Sequence, residues 1–243
     1  MATIFALLFS YPLAYFIGVK ARPWPLLQNL MLVLVIAPFF ISFLLRTLAW
    51  KSILSDESFV ITGLKFLSLM APDAHFTGTP AAVIFGLTYN FIPFMTLPLY
   101  ATLERLDIRL LEAGGDLYSK PATSFFKVTV PLSMTGIVSG VLLTFIPASG
   151  DYINASSTFL GGTSTTMIGN VVESHFIGPF PNYPAAAALS IILMLVILVI
   201  VIVGGMGSIT GVIVGAVVLI GILGGPTQPG LLQEFGQFKL LIY

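Results

Sequence analysis

Few side chains in this chain can do chemistry, and they are scattered. There is no cysteine, which excludes thiolate nucleophiles, thiolate metal sites and disulfides. The two histidines, His75 and His175, are far apart in the sequence, and neither stands at a metal-ligand spacing. No Ser/His pair, paired Asp or His/Glu set falls within an apolar segment, so no catalytic residue, metal ligand or cofactor is assigned. A G-x-x-x-x-G-K-[ST] phosphate loop is absent. Gly161-Gly162-Thr163 and the glycine-rich run 204–207 lack its lysine and read as turns. Three polar groupings remain. Tyr89 and Asn90 interrupt an apolar run. Asp151 and Glu173 are the two charges in the segment 148–184. Eight charged side chains crowd between 104 and 131. A polar side chain at membrane depth faces the bundle interior, where it lines a path or bonds a neighbouring helix.

The elements that position these residues lie in lipid. Of 243 residues, 57% are hydrophobic and 8% charged, and the mean hydropathy is +1.02. A soluble domain carries about 25% charged residues. Ten basic and ten acidic side chains cannot cover a 26 kDa globule, so the solvent is mostly a bilayer. The zero net charge gives a nucleic-acid partner no support.

A spanning helix needs about 20 mostly apolar residues. Six segments qualify: 2–18 with Pro12, 27–45 with Pro38, 80–103 with Pro93 and Pro98, 132–148 with Pro147, 185–203, and 207–223. Gly204-Gly205 marks the break between the last two. A β-barrel would need alternating polarity, and 189–203 does not alternate. The expected fold is an all-α membrane protein of about six transmembrane helices. The segment 2–18 is followed, not preceded, by basic residues, so it reads as a first helix entering from outside and not as a secretory signal. Lys20, Arg22, Arg105, Arg109, Lys120 and Lys127 then fall on the cytoplasmic side, against Arg46, Lys51, Lys65 and Lys239 outside. Arg46, Trp50 and Lys51 read as an interfacial anchor.

Within 104–131, Leu110, Leu111, Gly114, Leu117 and Tyr118 recur at helical spacing, which predicts a short amphipathic helix. Ser119-Lys120-Pro121 breaks it and starts a second short helix. This cytoplasmic helix–turn–helix is either a docking surface or a loop that meets headgroups.

Glu112-Ala113-Gly114 followed by Val128-Thr129-Val130-Pro131 resembles the EAA motif of ABC-importer permeases. That motif reads E-A-A, three residues, G, nine residues, I, one residue, L-P. Glu112, Ala113 and Pro131 match, and Val128 and Val130 replace Ile and Leu. Gly114 stands for Ala and Tyr118 for Gly. Tyr11 to Phe16, Pro38 to Trp50, Tyr89 to Tyr100 and Pro147 to Tyr152 together look like the spermidine/putrescine branch of the type I permeases, over about 4–203.

The resemblance implies a transmembrane permease subunit that moves polyamines by alternating access across the inner membrane. ATP hydrolysis is then expected on a partner ABC ATPase subunit, not on this chain. The coupling residues would be Glu112, Ala113, Gly114, Gly115, Asp116, Leu117 and Tyr118. A second permease subunit and a periplasmic or lipid-anchored substrate-binding protein complete the expected partners. Asp151 and Glu173 would offset the lost hydration of a cation along its path, with Tyr89 and Asn90 beside it; the bland readings are loop acids and a bond between helices. Such permeases carry another helix before the Tyr11-Pro12-Leu13-Ala14-Tyr15 segment, so the first family helix is expected to be missing. The tail 204–243 resembles a branched-chain amino-acid permease, and a join near Val203 is expected. Two alternatives follow: a permease for another small solute such as a branched-chain amino acid, and a non-functional chimeric membrane protein.

Overall fold

The computed structural model describes residues 1–67, 71, 73–116 and 120–203, with the residue pairs 224–225 and 228–229. The regular elements of the described chain are helices, apart from a two-residue antiparallel pair, β1 (Gly224–Gly225) on β2 (Gln228–Pro229). The helices are α1 (Ala2–Lys20), α2 (Pro25–Phe40), α3 (Phe43–Ile53), α4 (Phe59–Phe66), α5 (Pro80–Glu104) and α6 (Ile108–Asp116). Then follow α7, which begins as Pro121–Ser124 and continues through Phe125–Thr129 and Val130–Leu132, α8 (Met134–Ser149), α9 (Ile168–Ile177) and α10 (Tyr183–Val203).

The longest helix among the described residues, α5, organises the rest. Pro80 sits in its first turn, where a missing N–H costs nothing, and the Thr79 hydroxyl accepts from the Ala82 amide at 3.3 Å. Pro93 and Pro98 lie inside it. Flanking α5 are α1 and α8. Ala6, Tyr11 and Ala14 of α1, Met95, Leu99 and Leu103 of α5, and Ile137 of α8 form one buried cluster. Gly136 and Gly140 give α8 the small-residue stripe that lets membrane helices approach closely. A Cβ on Gly140 would stand 2.8 Å from Met95 Sδ and 3.0 Å from its carbonyl oxygen. Outward, Leu8, Leu26, Val33 and Leu34 are more than half exposed, as suits side chains bathed in lipid.

Ala2–Lys20 and Pro80–Glu104 are each long and apolar enough to cross a membrane, and they coincide with the expected first and third segments. Two bent pairs raise the number of candidate spans among the described residues to four. The expected helix 27–45 is not continuous. It ends in a 3-10 turn at Ala37–Phe40, and α3 departs at 95°. Pro38 lacks an N–H for the ladder, and Ser42 is extended, with ψ 137°. The fourth segment is bent likewise, by 67° between Ala122–Leu132 and Met134–Ser149. The segment 207–223, with Leu117 and Tyr118, lies outside the described residues.

The bundle has two distinct ends. At one, the Gly78 amide donates to the Leu160 carbonyl at 2.9 Å, and Leu160 packs with Leu54, Ile61 and Ala82. Asp56 there meets His75 at 2.5 Å and Lys65 at 3.6 Å, and the His75 hydrogen bond holds the Asp56 carboxyl below its ordinary range. At the other end, Arg22 and the segment 104–131 gather around the last turn of α5.

Candidate functional site

Two places hold the polar side chains that the sequence singles out. The first is the surface at the C-terminal end of α5. The last turn of a helix leaves carbonyls without intrahelical partners. Arg22, just past α1, supplies donors to them. Its Nη2 donates to the carbonyls of Leu103, at 3.1 Å, and Glu104, its Nη1 to Leu106 at 3.2 Å, and its Nε to Gly18 at 3.1 Å. A single guanidinium thus joins the end of α1 to the end of α5 and the start of the charged segment.

From there α6 runs outward. The Asp107 carboxylate accepts from the Arg109 amide at 3.0 Å at its start. Leu106 is buried in the α1–α5–α8 cluster, and Leu111 packs against it. Glu112 is exposed. Ala113, Gly114, Gly115 and Asp116 complete α6. So the predicted amphipathic helix is present, and Pro121 opens the second short helix as its sequence requires.

The second arm returns under α1. Phe125 meets Tyr11 and Tyr15 edge to face, with ring centroids 5.4 and 5.6 Å away. The Tyr11 hydroxyl and Ser133 Oγ lie 2.7 Å apart, both buried. Tyr11 and Tyr15, which the sequence marks only as a motif, are therefore the residues that clamp the charged segment to the first helix.

The other place is a buried polar chain in the opposite half of the bundle. Asn90, 1% exposed, donates through Nδ2 to Thr47 Oγ1 of α3 at 3.3 Å and to Asn154 Oδ1 at 3.2 Å. Asn154 in turn donates to the Asp151 carboxylate, from its backbone amide at 2.8 Å and from Nδ2 at 3.1 Å. Burial pushes the Asp151 carboxyl up to about 6, although the amides of Asn154, Ala155 and Ile153 favour its ionised form. Gly86 makes room for this loop, since a Cβ there would lie 2.6 Å from Asn154 Oδ1.

Asn90 and Asp151 are thus brought together through Asn154. Tyr89 and Glu173 are not part of that chain. Tyr89 stacks edge to face on Trp50 at 5.0 Å and lines a cavity of about 280 Å³ between α1, α2 and α5. Half-buried Glu173 sits in α9, not in an open loop, and borders an apolar groove of about 840 Å³ with Ile146, Phe176 and Met194.

Arg46 corrects one expectation. It is 8% exposed and faces the rings of Phe39 and Phe43, each centroid 5.7 Å from its guanidinium carbon, so it is no interfacial anchor. Trp50 is half-buried between Phe85 and Tyr89, and Lys51 donates to the Thr158 carbonyl at 2.5 Å. Sequence reasoning missed Arg22, Asn154 and Thr47 as organising residues. Among the described residues no group of three or more His, Cys, Asp or Glu side chains could hold a metal ion.

No family model matches the chain. It is similar to the spermidine/putrescine transport system permease protein PotB of Haemophilus influenzae, 38% identical over 191 residues covering 79% of this chain and 65% of that protein. Against the PotB protein of Escherichia coli K12 it is 37% identical over 194 residues, covering 79% of this chain and 67% of that protein. The inner membrane ABC transporter permease protein YdcU of Escherichia coli K12 is 29% identical over 201 residues, covering 78% of this chain and 62% of that protein. The chain spans about two thirds of the length of these relatives.

Proposed function

Because this chain belongs to the family of spermidine/putrescine transport system permease proteins, we propose that it is the membrane permease subunit of an ABC importer that moves polyamines across the bacterial inner membrane. It is not itself an enzyme in this reading, and ATP hydrolysis lies on partner ATPase subunits. A second permease subunit completes the pore, and a periplasmic or lipid-anchored binding protein delivers substrate. Residues 1–203 form the permease unit of type I character in this reading, and 204–243 are a tail of different family character.

One observation carries the reading: the charged helix α6 is held rigidly at the end of two candidate spans. Arg22 ties its root to α1 and α5, and Tyr11 and Tyr15 tie Phe125 to α1. A loop that only met headgroups would need neither tie. With Glu112 exposed on its surface, α6 presents a carboxylate to a docking partner while its root is fixed to the helices that must move. ATPase closure would push on Glu112 and the rest of 112–118, and α1 and α5 would rock as the push arrives.

In the opposite half, the Thr47–Asn90–Asn154–Asp151 chain holds the loop after α8 against α5. Asp151 is engaged by Asn154, so it positions that loop on the substrate path and does not offer a free carboxylate. Tyr89 and Glu173 border separate cavities and would flank the path from two sides.

The test is a pull-down of this chain with a polyamine-type ATPase subunit, wild type against Glu112→Ala. Recovery that weakens in the mutant supports the coupling surface. A well-folded wild type that never recovers an ATPase would sink it.

A further inference from the structure

The groove beside Glu173 has a volume of about 840 Å³, the size of a small-ligand site. Three helices supply its walls. Ile146 belongs to α8, Phe176 to α9, and Leu193, Ile197 and Val201 to α10. Met194 and Leu198 also line it and are 57% and 47% exposed, so the groove is open along α10.

Its length and its one charge point to a single kind of molecule. From Ser190 to Val201 the α10 wall rises about 16 Å. That is about half of the ~30 Å hydrocarbon core, the depth of one lipid leaflet. The groove also has a polar end. Ile168 packs against the middle of α10, at Leu193 and Ile197, while the Asn182 amide donates to the His175 carbonyl just before α10 begins. So α9 runs antiparallel to α10, and Glu173 stands near the Ser190 end, remote from Val201. Glu173 is half-buried, and among the described residues it has neither an ion pair nor a hydrogen bond. The neighbouring His175 does not serve it, since its Nδ1 is turned to the Val171 carbonyl at 2.8 Å. Tyr152 lines the same end. Asn170, one turn before Glu173, donates to the Tyr152 carbonyl at 2.6 Å, and the Tyr152 hydroxyl has no partner among the described residues. The Ser190 hydroxyl is already engaged, donating to the Ala186 carbonyl at 2.9 Å. The polar end thus offers one carboxylate and one phenolic donor above an apolar channel. A polyamine carries several ammonium groups, and this groove would answer one and bury the rest against hydrocarbon, so the occupant is not the proposed substrate.

We propose that the groove holds one acyl chain of a phospholipid whose headgroup carries a primary ammonium, with the ammonium on the Glu173 carboxylate and the phosphate accepting from the Tyr152 hydroxyl. A primary ammonium donates charge-assisted hydrogen bonds to a carboxylate, which a trimethylated headgroup cannot do and an uncharged glycerol headgroup does more weakly. Both polar contacts fall at the end of the bundle remote from α6, so in the proposed orientation the lipid belongs to the outer leaflet. There it fills the space between α8, α9 and α10. The inference goes beyond the transport reading and does not depend on which solute is moved.

The experiment delipidates the purified full chain in detergent and adds mixed micelles of phosphatidylethanolamine, phosphatidylcholine and phosphatidylglycerol in equal amounts. Mass spectrometry then counts the phospholipid retained per chain. Wild type should retain phosphatidylethanolamine roughly fivefold over each of the other two, as one partly exposed ion pair allows. Glu173→Gln should keep its Tm and retain the three lipids alike. Leu198→Trp, which fills the groove from its open side, should lower retention of all three, while Leu8→Trp on the outward face of α1 should leave the preference unchanged. Equal retention of the three headgroups by wild type, or an undiminished preference in Glu173→Gln, overturns the proposal. So does lipid that binds the chain alone and is lost when a second permease subunit is co-expressed, which would assign the groove to a subunit contact.

Discussion

Replacing Asp151 by asparagine will flatten the pH dependence of stability between about pH 5 and pH 7. The Asp151 carboxyl titrates at about 6 in the folded chain against an ordinary value of 3.8, because burial penalises its charge. A raised carboxyl pKa means that the folded state binds the proton more tightly than the unfolded state. The stability that this supplies is complete below the unfolded value and is lost as pH rises through about 6. The full shift of about 2 units corresponds to ~3 kcal/mol. Between about pH 7 and pH 5, roughly 1.3 kcal/mol of it returns. For a chain of this size that is a rise in Tm of about 3–5 °C. The assay is thermal unfolding of detergent-solubilised protein in a buffer series, wild type beside Asp151→Asn. Asparagine keeps one acceptor for Asn154 and carries no titrating proton, so the difference between the two curves isolates this carboxyl. If both proteins show the same pH slope, Asp151 is solvated and the buried chain through Asn154 does not exist as described.

Three further outcomes follow from the geometry. Gly140→Leu will destabilise the protein by about 1–3 kcal/mol, because its Cβ would sit 2.8 Å from Met95 Sδ and 3.0 Å from the Met95 carbonyl oxygen of α5; a lowered Tm with an unchanged value for an outward substitution such as Leu8→Ala checks it. Arg22→Ala will speed tryptic cleavage at Arg105 and Arg109 several-fold by freeing the end of α5, and Arg22→Lys will restore little of the protection, since one ammonium cannot reach three carbonyls in a fork. Tyr11→Phe will cost about 1 kcal/mol through the lost bond to Ser133 and leave the stacking on Phe125 in place, visible as a small drop in Tm.

Much of the fold was legible because a bilayer imposes a strong rule on composition. The run 80–103 predicted α5 within a residue of Pro80–Glu104, and 185–203 fell inside Tyr183–Val203. The charged island between 104 and 131 predicted both α6 and the helix opened by Pro121. The break at Ser42 was hidden, because apolar side chains continue across it and hydropathy does not register a turn in direction. Pro38 hinted at it, but Pro12 and Pro93 sit inside helices that continue. The site was less legible than the fold. Asn90 could be marked as a polar residue at depth, yet its partner Asn154 lies in an irregular loop with no period to read. Arg22 looked like one more basic residue of a cytoplasmic loop, whereas its carbonyl partners are set by where α5 happens to end.

The ties of Arg22 and of Tyr11 and Tyr15 have a mechanical meaning. A segment attached at one point swivels; attached at two it becomes a strut. The segment 104–131 is pinned at its root by a fork of hydrogen bonds and at its far arm by two aromatic edges, and both pins land on α1. Under the proposed coupling role, a push on the root of α6 would reach the end of the first helix through Arg22. The opening helix, whose one charged side chain is Lys20 at its end, would then be the drive shaft.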